Sequence, residues 1–280
     1  MSGTLFVVAT PIGNLQDLAP RAAETLAAVA VVAAEDTRHT RKLLAHLDAH
    51  PELVSVHQHT PAPRIAALVE RLRAGEQVAL VTDAGTPSVS DPGGELVRAA
   101  RAAGIRIVPL PGPSAVAAAL SVAGLPADRY RFLGFPPRKG PERRAWLATA
   151  ARESPETVVL FEAANRLVAL LTDLGEVAGD GRQAVVGREL TKLHEEIKSG
   201  TLNELAAYYV EHPARGEVTV VMAGNQRPEE GQGGQAIRAV DVARRLIAAG
   251  LTKRDVTRVL QETMQLSRNA AYQIVTALDA

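Results

Sequence analysis

The chain has 280 residues, of which 46% are apolar, and its 31 Lys and Arg balance 31 Asp and Glu. It is long enough for about two domains with a sizeable core. Any nucleic-acid binding must come from a local basic patch and not from a global field. The absence of Cys excludes a disulfide framework, a thiol nucleophile and Cys-based zinc sites, and it fits a reducing compartment. No apolar stretch approaches the roughly 18 residues of a membrane span, and the N-terminus reads as a first strand with no basic lead, so a soluble protein without a signal peptide is expected.

In chain order, residues 5–9 form an apolar, β-rich run that ends in Thr-Pro-Ile-Gly-Asn. An alanine-rich helix is expected over 19–29 and a buried strand over 29–34, followed by Glu35, Asp36, Thr37 and Arg38. Thr37 or Asp36 can cap the helix expected over 38–47. A strand over 53–56 precedes His57-Gln58-His59, and Ile65, Leu68, Val69 and Leu72 recur at helical spacing over 64–74. A strand over 77–81 leads into TDAGTPSVSDPGG (82–94), a loop rich in Gly, Pro, hydroxyls and carboxylates. After a helix over 95–103 come a strand over 105–110, the turn Pro111-Gly112-Pro113-Ser114 and a helix over 115–123. Strands alternating with helices imply a parallel sheet, which places the four polar loops on one edge around one cleft.

Beyond Gly124 the pattern turns mixed. Short strands are expected over 130–133, 157–161 and 217–223, helices over 142–151, 166–174 and 202–210, and an antiparallel pair over 183–188 and 194–198. Residues 225–234 read as a linker, and three helices are expected over 237–249, 253–264 and 268–278, with Thr252 and Ser267 as caps. The last 45 residues carry seven basic and four acidic side chains, a small basic unit resembling a helix-turn-helix. The expected division is an α/β domain over 1–123, a second over 124–226 and a helical extension over 235–280.

The usual nucleotide fingerprints, nucleophile elbow and zinc-protease motif are missing. His57-x-His59 has no third ligand nearby in sequence, so a metal role is not assigned. On the residues alone, the cleft takes a small or nucleotide-like molecule and the reaction stays open.

The strings ATPIGNLQDL (9–18), AEDTR-T (34–40), LVTDAGTPSVSDPG (80–93), PLPGPSA (109–115), FLGFPPR (132–138) and VGRELTKLHEE (186–196) resemble those of the ribosomal RNA small subunit methyltransferase I family, in order over about residues 4–225. The resemblance implies a two-domain, tetrapyrrole-methylase-like α/β fold with a helix-turn-helix-like C-terminal extension. It implies S-adenosylmethionine-dependent 2′-O-methylation of a cytidine in small-subunit ribosomal RNA, by a cytoplasmic homodimer acting on free RNA or on the assembled small subunit. It assigns the cofactor to Asp83, Ala84, Gly85, Thr86 and Pro87, to Pro111, Gly112 and Ser114, to Phe161, Glu162 and Ala163, and to Met222 and Ala223. Pro11, Gly13, Asn14 and Arg38 would face the substrate, with Arg138, Arg143 and Arg144 on RNA phosphates. Glu35, Asp36, Glu189 and Lys192 (if burial lowers its pKa) are the candidates for accepting the hydroxyl proton. No metal is implied. Two segments depart from the family pattern: Ala163-Ala164-Asn165 stands where Ser-Pro-His is usual, and Gln58-His59-Thr60 where an acid, His and Asn are usual. A tetrapyrrole methyltransferase, a diphthine synthase and a non-catalytic ribosome-assembly factor are the competing readings. The basic tail and the form of the 82–93 loop favour the ribosomal RNA enzyme, and cofactor binding separates the enzymes from the assembly factor.

Overall fold

The computed structural model describes residues 2–151, 155–225, 232–248, 250–264 and 266–277. Contacts divide the chain into Met1–Asn225 and Gln226–Ala280.

In the first unit, β1 (Thr4–Val8), β2 (Val31–Ala34), β3 (Glu52–Ser55), β4 (Val78–Val81) and β5 (Arg106–Leu110) form a sheet in the order β3-β2-β4-β1-β5. Every pairing in it is parallel, as the alternation of strands and helices predicts. β2 and β4 are buried along their whole length, as both-face coverage by crossover helices requires. Helices α1 (Pro20–Ala28) and α2 (Thr37–His46) cover one face, and α3 (Ala62–Arg73) and α4 (Gly94–Ala102) the other. All four strand-to-helix loops that matter for the site therefore leave from the same edge.

The next helix, α5 (Ala115–Ala123), follows β5 but packs on the second sheet. Its Val116, Ala119, Leu120 and Ala123 lie against Val159, Val185 and Val221. Burying each Val or Leu is worth about 1.5–3 kcal/mol, more than a single cap contributes, so this face binds α5 to the second sheet. Gly124, left-handed at φ 64, ends the helix at the boundary expected from sequence.

The second sheet runs β6-β7-β10-β8-β9, from β6 (Tyr130–Phe132), β7 (Thr157–Ala163), β8 (Gln183–Arg188), β9 (Glu196–Thr201) and β10 (Glu217–Met222). Only β6 and β7 are parallel in it; β10 is antiparallel to both β7 and β8. Helices α6 (Gly140–Ala151), α7 (Leu167–Ala178) and α8 (Leu202–Glu211) pack outside, with Leu170, Leu171, Leu174 and Tyr209 fully buried. β9 begins two residues later than expected, because Glu189 and Thr191 take left-handed backbone in the turn before it. α8 starts with a capping box between Thr201 and Glu204.

The second unit holds α9 (Gln232–Ala248), α10 (Lys253–Met264) and α11 (Arg268–Thr276), packed through Ala239, Ala243, Val256, Leu260, Ala271 and Val275. Residues 232–234, expected in the linker, are helical; residues 226–231 of that linker, Ala249 and Leu278 lie outside the described residues. Ser267 caps α11 by accepting from the Ala270 N–H at 3.3 Å.

Candidate active site

The loops after β1 and β4 are latched together. Thr10 N–H donates to the Gly85 carbonyl at 2.9 Å, and Gly85 N–H returns to the Thr10 carbonyl at 3.0 Å. The Thr10 hydroxyl also donates to the Thr82 carbonyl at 3.1 Å. Gly85 sits at φ 76, where L side chains are strained by about 1–2 kcal/mol. Further along the loop, Ser88 (φ 71) and Ser90 (φ 62) carry that strain, and the path they impose brings Ser90 and Asp91 into the cavity wall. Thr86 donates to the Pro113 carbonyl at 3.4 Å, joining the loop after β5. Ser114 caps α5 by accepting from the Ala117 N–H at 3.5 Å.

The opposite wall belongs to the second sheet. Because β10 is antiparallel to β7, the end of β7 meets the start of β10: Ala163 pairs with Glu217 and Glu162 with Val218. Glu189 pins that start. Its carboxylate accepts from the Glu217 N–H at 2.9 Å and from Lys192 Nζ at 3.0 Å, while its own N–H donates to the Glu217 carbonyl at 2.9 Å. Lys192 Nζ also donates to the Glu217 carboxylate at 3.0 Å. Gly216 is obligatory here, since a Cβ would stand 2.1 Å from Glu189 Oε1.

Between these walls lies a cavity of about 380 Å³, within the roughly 300–1,000 Å³ usual for small-molecule sites. Apolar surface comes from Ile12, Val116, Phe161 and Val218, with Phe135 half-exposed at 5.3 Å from Phe161. Polar groups converge from Thr86, Ser90, Asp91 and Ser114.

Three carboxylates cluster behind the first wall. Glu35 accepts from the Asp83 N–H at 3.5 Å, and Asp83 accepts from the Asp36 N–H at 3.1 Å. Burial, then the charges of Glu35 and Asp83, push the Asp91 carboxyl up to about 7. Burial also raises Glu35, with the Asp83 N–H opposing and the neighbouring acids adding to the rise. A carboxyl titrating near neutral pH in a cleft is suited to accepting a proton.

Of the other proton acceptors expected from sequence, Asp36 caps α2 by accepting from the Arg38 N–H at 2.8 Å. Its ion pair with Arg38 holds its carboxyl well below the usual carboxylate range. Lys192 is corrected: burial pulls its ammonium down, but hydrogen bonds to Glu189 and Glu217 outweigh that and its pKa ends above the ordinary value, so it stays charged. Glu189 is held low by the Glu217 N–H and Lys192 and serves the wall as a pin.

Ala84, Gly85, Thr86, Ser114, Phe161, Glu162 and Ala163 line the cavity together. Asp83, Pro87, Pro111 and Gly112 lie within or beside these loops without lining it; Gly112 lets the β5 loop close on Ala9, whose Cβ is 3.1 Å from where a Gly112 Cβ would be. Met222 and Ala223 are at the wrong end of β10. Met222 is fully buried opposite Val158 and Ala184, and the lining positions are Gly216 to Thr219, because the strand enters the sheet at the cavity and runs away from it.

On the proposed substrate side, Pro11 borders a small hollow with His39 and Leu43, Gly13 lies under Lys192, and Asn14 caps a short turn by accepting from the Gln16 N–H at 3.0 Å. Arg38 is exposed and paired with Asp36. Arg138 and Arg144 are exposed. Arg143 is not available: it donates to Asp173 at 2.5 and 2.8 Å and to the Pro137 carbonyl at 3.1 Å, with its side chain 13% exposed. Sequence reasoning passed over Ile12, Val89, Ser90, Asp91, Phe135 and the start of β10; the one signal for the last was Gly216 directly before an apolar strand.

Fold and cavity together define a member of the tetrapyrrole (corrin/porphyrin) methylases, whose family pattern matches residues 4–206. A uroporphyrin-III C-methyltransferase structure from Thermus thermophilus superposes with TM-score 0.56 at 26% identity, covering 78% of this chain and 94% of that one. A diphthine synthase structure is also similar in fold, with TM-score 0.59 at 17% identity, over 79% of this chain and 90% of the other. Among curated proteins, ribosomal RNA small subunit methyltransferase I of a Synechocystis strain is 45% identical over 99% of both chains. The Pseudomonas aeruginosa protein of the same name is 46% identical over 97% of this chain and 96% of its own, and that of Escherichia coli O157:H7 41% over 97% and 94%. The chain belongs to the ribosomal RNA small subunit methyltransferase I family.

Proposed function

We propose that this protein is an S-adenosylmethionine-dependent methyltransferase that modifies the 2′-oxygen of a cytidine ribose in small-subunit ribosomal RNA. One observation carries the reading: the family-type strings around Gly85 and Ser114 converge with the start of β10 on one cavity of about 380 Å³ in a chain so similar to ribosomal RNA methyltransferases. The residues present fit the cofactor. An apolar wall suits an adenine ring, and the acid wall around Asp91 suits a cation. When bound, the cofactor supplies an electrophilic methyl group on a sulfonium.

The chain's own task is then alignment and proton removal. Holding two reactants in line is worth up to roughly 7–11 kcal/mol, and a positioned base adds about 10²–10⁴-fold. We assign proton acceptance to the Asp91 carboxylate, backed by Glu35. Exposed Arg138, Lys139 and Arg144 are the phosphate contacts, with Pro11, Gly13, Asn14 and Arg38 on the substrate side. No described helix is long and apolar enough to cross a membrane, and a cytoplasmic homodimer acting on free RNA or on the assembled small subunit completes the reading. The division at residues 123/124 belongs to it too, each half supplying one wall.

The test is methyl transfer from labelled cofactor to assembled small subunits and to free ribosomal RNA, with mapping of the modified nucleotide. Label on a cytidine ribose is expected; label on a base, or on a tetrapyrrole offered in parallel, overturns the assignment. Gly85→Val should fold and lose cofactor binding.

A further inference from the structure

The turn between β6 and α6 carries an aromatic ring that the fold leaves largely uncovered. Phe135 is 55% exposed, and its ring meets Phe161 at 5.3 Å with the planes tilted by 57°. Phe161 is in turn edge-on to Phe132 at 4.9 Å. Core packing does not account for Phe135, since more than half of the residue remains in water. Among the described residues, Phe135 and Val89 are the large apolar side chains that are both exposed and part of the cavity lining, so they mark its rim.

The turn is held firmly. Gly134, left-handed at φ 64, accepts at its carbonyl from the Phe161 N–H at 2.9 Å, and Pro136 on the other side of Phe135 is buried and restricts the chain. A Cβ on Gly134 would stand 2.9 Å from Ser90 Oγ, so the turn abuts the loop that carries Asp91. Arg138 and Lys139 follow on the same turn, both exposed. A rigid, exposed aromatic ring with cations beside it is how proteins hold an unstacked base and its flanking phosphates.

The cofactor does not need this ring. Ile12, Val116 and Val218 are buried and line the cavity with Phe161. Small-molecule sites bury most of their ligand's surface, which buried walls do and a half-exposed ring does not. A rim aromatic instead meets a ligand that arrives from solvent and stays partly in it. A nucleotide of structured RNA is such a ligand: to offer its 2′-oxygen to a cleft it must leave the base stack, and an aromatic ring replaces the stacking it gives up.

We propose that Phe135 is the stacking platform for the base of the target nucleotide. This rests on the reading of the protein as a ribose methyltransferase of ribosomal RNA. Phe135 is a positioning residue: the base lies on its ring, Arg138 and Lys139 hold the adjoining phosphates, and the ribose bonded to both is fixed at the wall formed by Ser90 and Asp91.

A cycle between protein and RNA tests it. The RNA carries the mapped target either as its natural nucleotide or as an abasic ribose, which keeps the 2′-hydroxyl, and is assembled into small subunits if the enzyme requires them. Phe135→Ala should weaken RNA binding, measured with S-adenosylhomocysteine present, on the order of tenfold to a hundredfold. Its calorimetric affinity for S-adenosylhomocysteine, which also reports the folded state, should stay within about twofold. Phe135→Trp should bind RNA like the wild type. The abasic RNA should cost the wild type a factor similar to Phe135→Ala and cost that variant little more, because both changes remove the same contact. Losses that simply multiply overturn the proposal, and so does a Phe135→Ala protein that keeps its RNA affinity or loses S-adenosylhomocysteine instead. Failure of the wild type to bind S-adenosylhomocysteine, or to label any ribose, would instead sink the reading on which the proposal stands.

Discussion

Lys192 lies across Gly13: a Cβ on Gly13 would stand 2.3 Å from Lys192 Cγ and 3.1 Å from its Cε. The lysine stem thereby lies against the loop after β1 while its ammonium holds Glu189 and Glu217 at the start of β10. Glycine is needed at residue 13 for space, since its backbone is not left-handed. Gly13→Ala should therefore displace Lys192, cost on the order of 1–3 kcal/mol in denaturant unfolding and weaken cofactor binding. Unchanged unfolding with unchanged binding would show that the loop gives way freely.

Lys192→Met removes the tie without removing the stem. The expected loss is about 1–2 kcal/mol at neutral pH, limited by the partial exposure of the pair. The sign with pH follows from both partners. Glu189 is lowered from 4.5, so its share is present above that value and is lost as pH falls through its folded pKa. Lys192 is raised from 10.5, so its share is present below that value and is lost as pH rises through its folded pKa. The difference between variant and wild type should be flat in the middle and shrink at both ends. The acid limb of the activity profile should not move, because Lys192 is not the base.

Asp91 has the opposite signature. An acid raised from 3.8 to about 7 takes up protons on folding, so it lowers stability as pH climbs between those values. Asp91→Asn should leave stability at pH 4 unchanged and raise it at pH 8, by on the order of 1 kcal/mol after solvent screening at this partly open wall. The same substitution should cut turnover by about 10²-fold or more and abolish the rise of kcat/KM near neutral pH. A variant with the wild-type profile would move the base elsewhere.

Adjacent arginines should separate stability from RNA binding. Arg143→Ala breaks the half-buried pair with Asp173 and should cost on the order of 2–3 kcal/mol in thermal or denaturant unfolding. Arg144→Ala should leave stability within about 0.5 kcal/mol and lower RNA affinity, reducing the salt slope by about 1. Unaltered affinity and slope for Arg144→Ala would take the α6 start out of the RNA interface.

What the amino-acid order reveals here follows from how local each signal is. Apolar runs marked β1, β2, β4 and β5, with Gly or Pro bounding all but β2, and parallel pairing then placed their loops on one edge. The direction of β10 is a property of its neighbours, so Met222 and Ala223 were assigned to a wall that Gly216 to Thr219 in fact supply. Arg143 looked like its exposed neighbours because its partner, Asp173, lies 30 residues away. Asp91 was read only as part of the 82–94 loop; its acid environment exists only once Glu35 and Asp83 are folded beside it.

The latch between Thr10 and Gly85 joins residues 75 apart, and the wall facing it waits for Thr219. During synthesis, then, the first sheet can form long before there is anything to bind. A nascent chain cannot use cofactor to guide its early folding; the ligand stabilises only the finished assembly of both sheets. Site formation becomes a late checkpoint, and variants that fold the first sheet but misplace β10 should accumulate as soluble chains blind to cofactor.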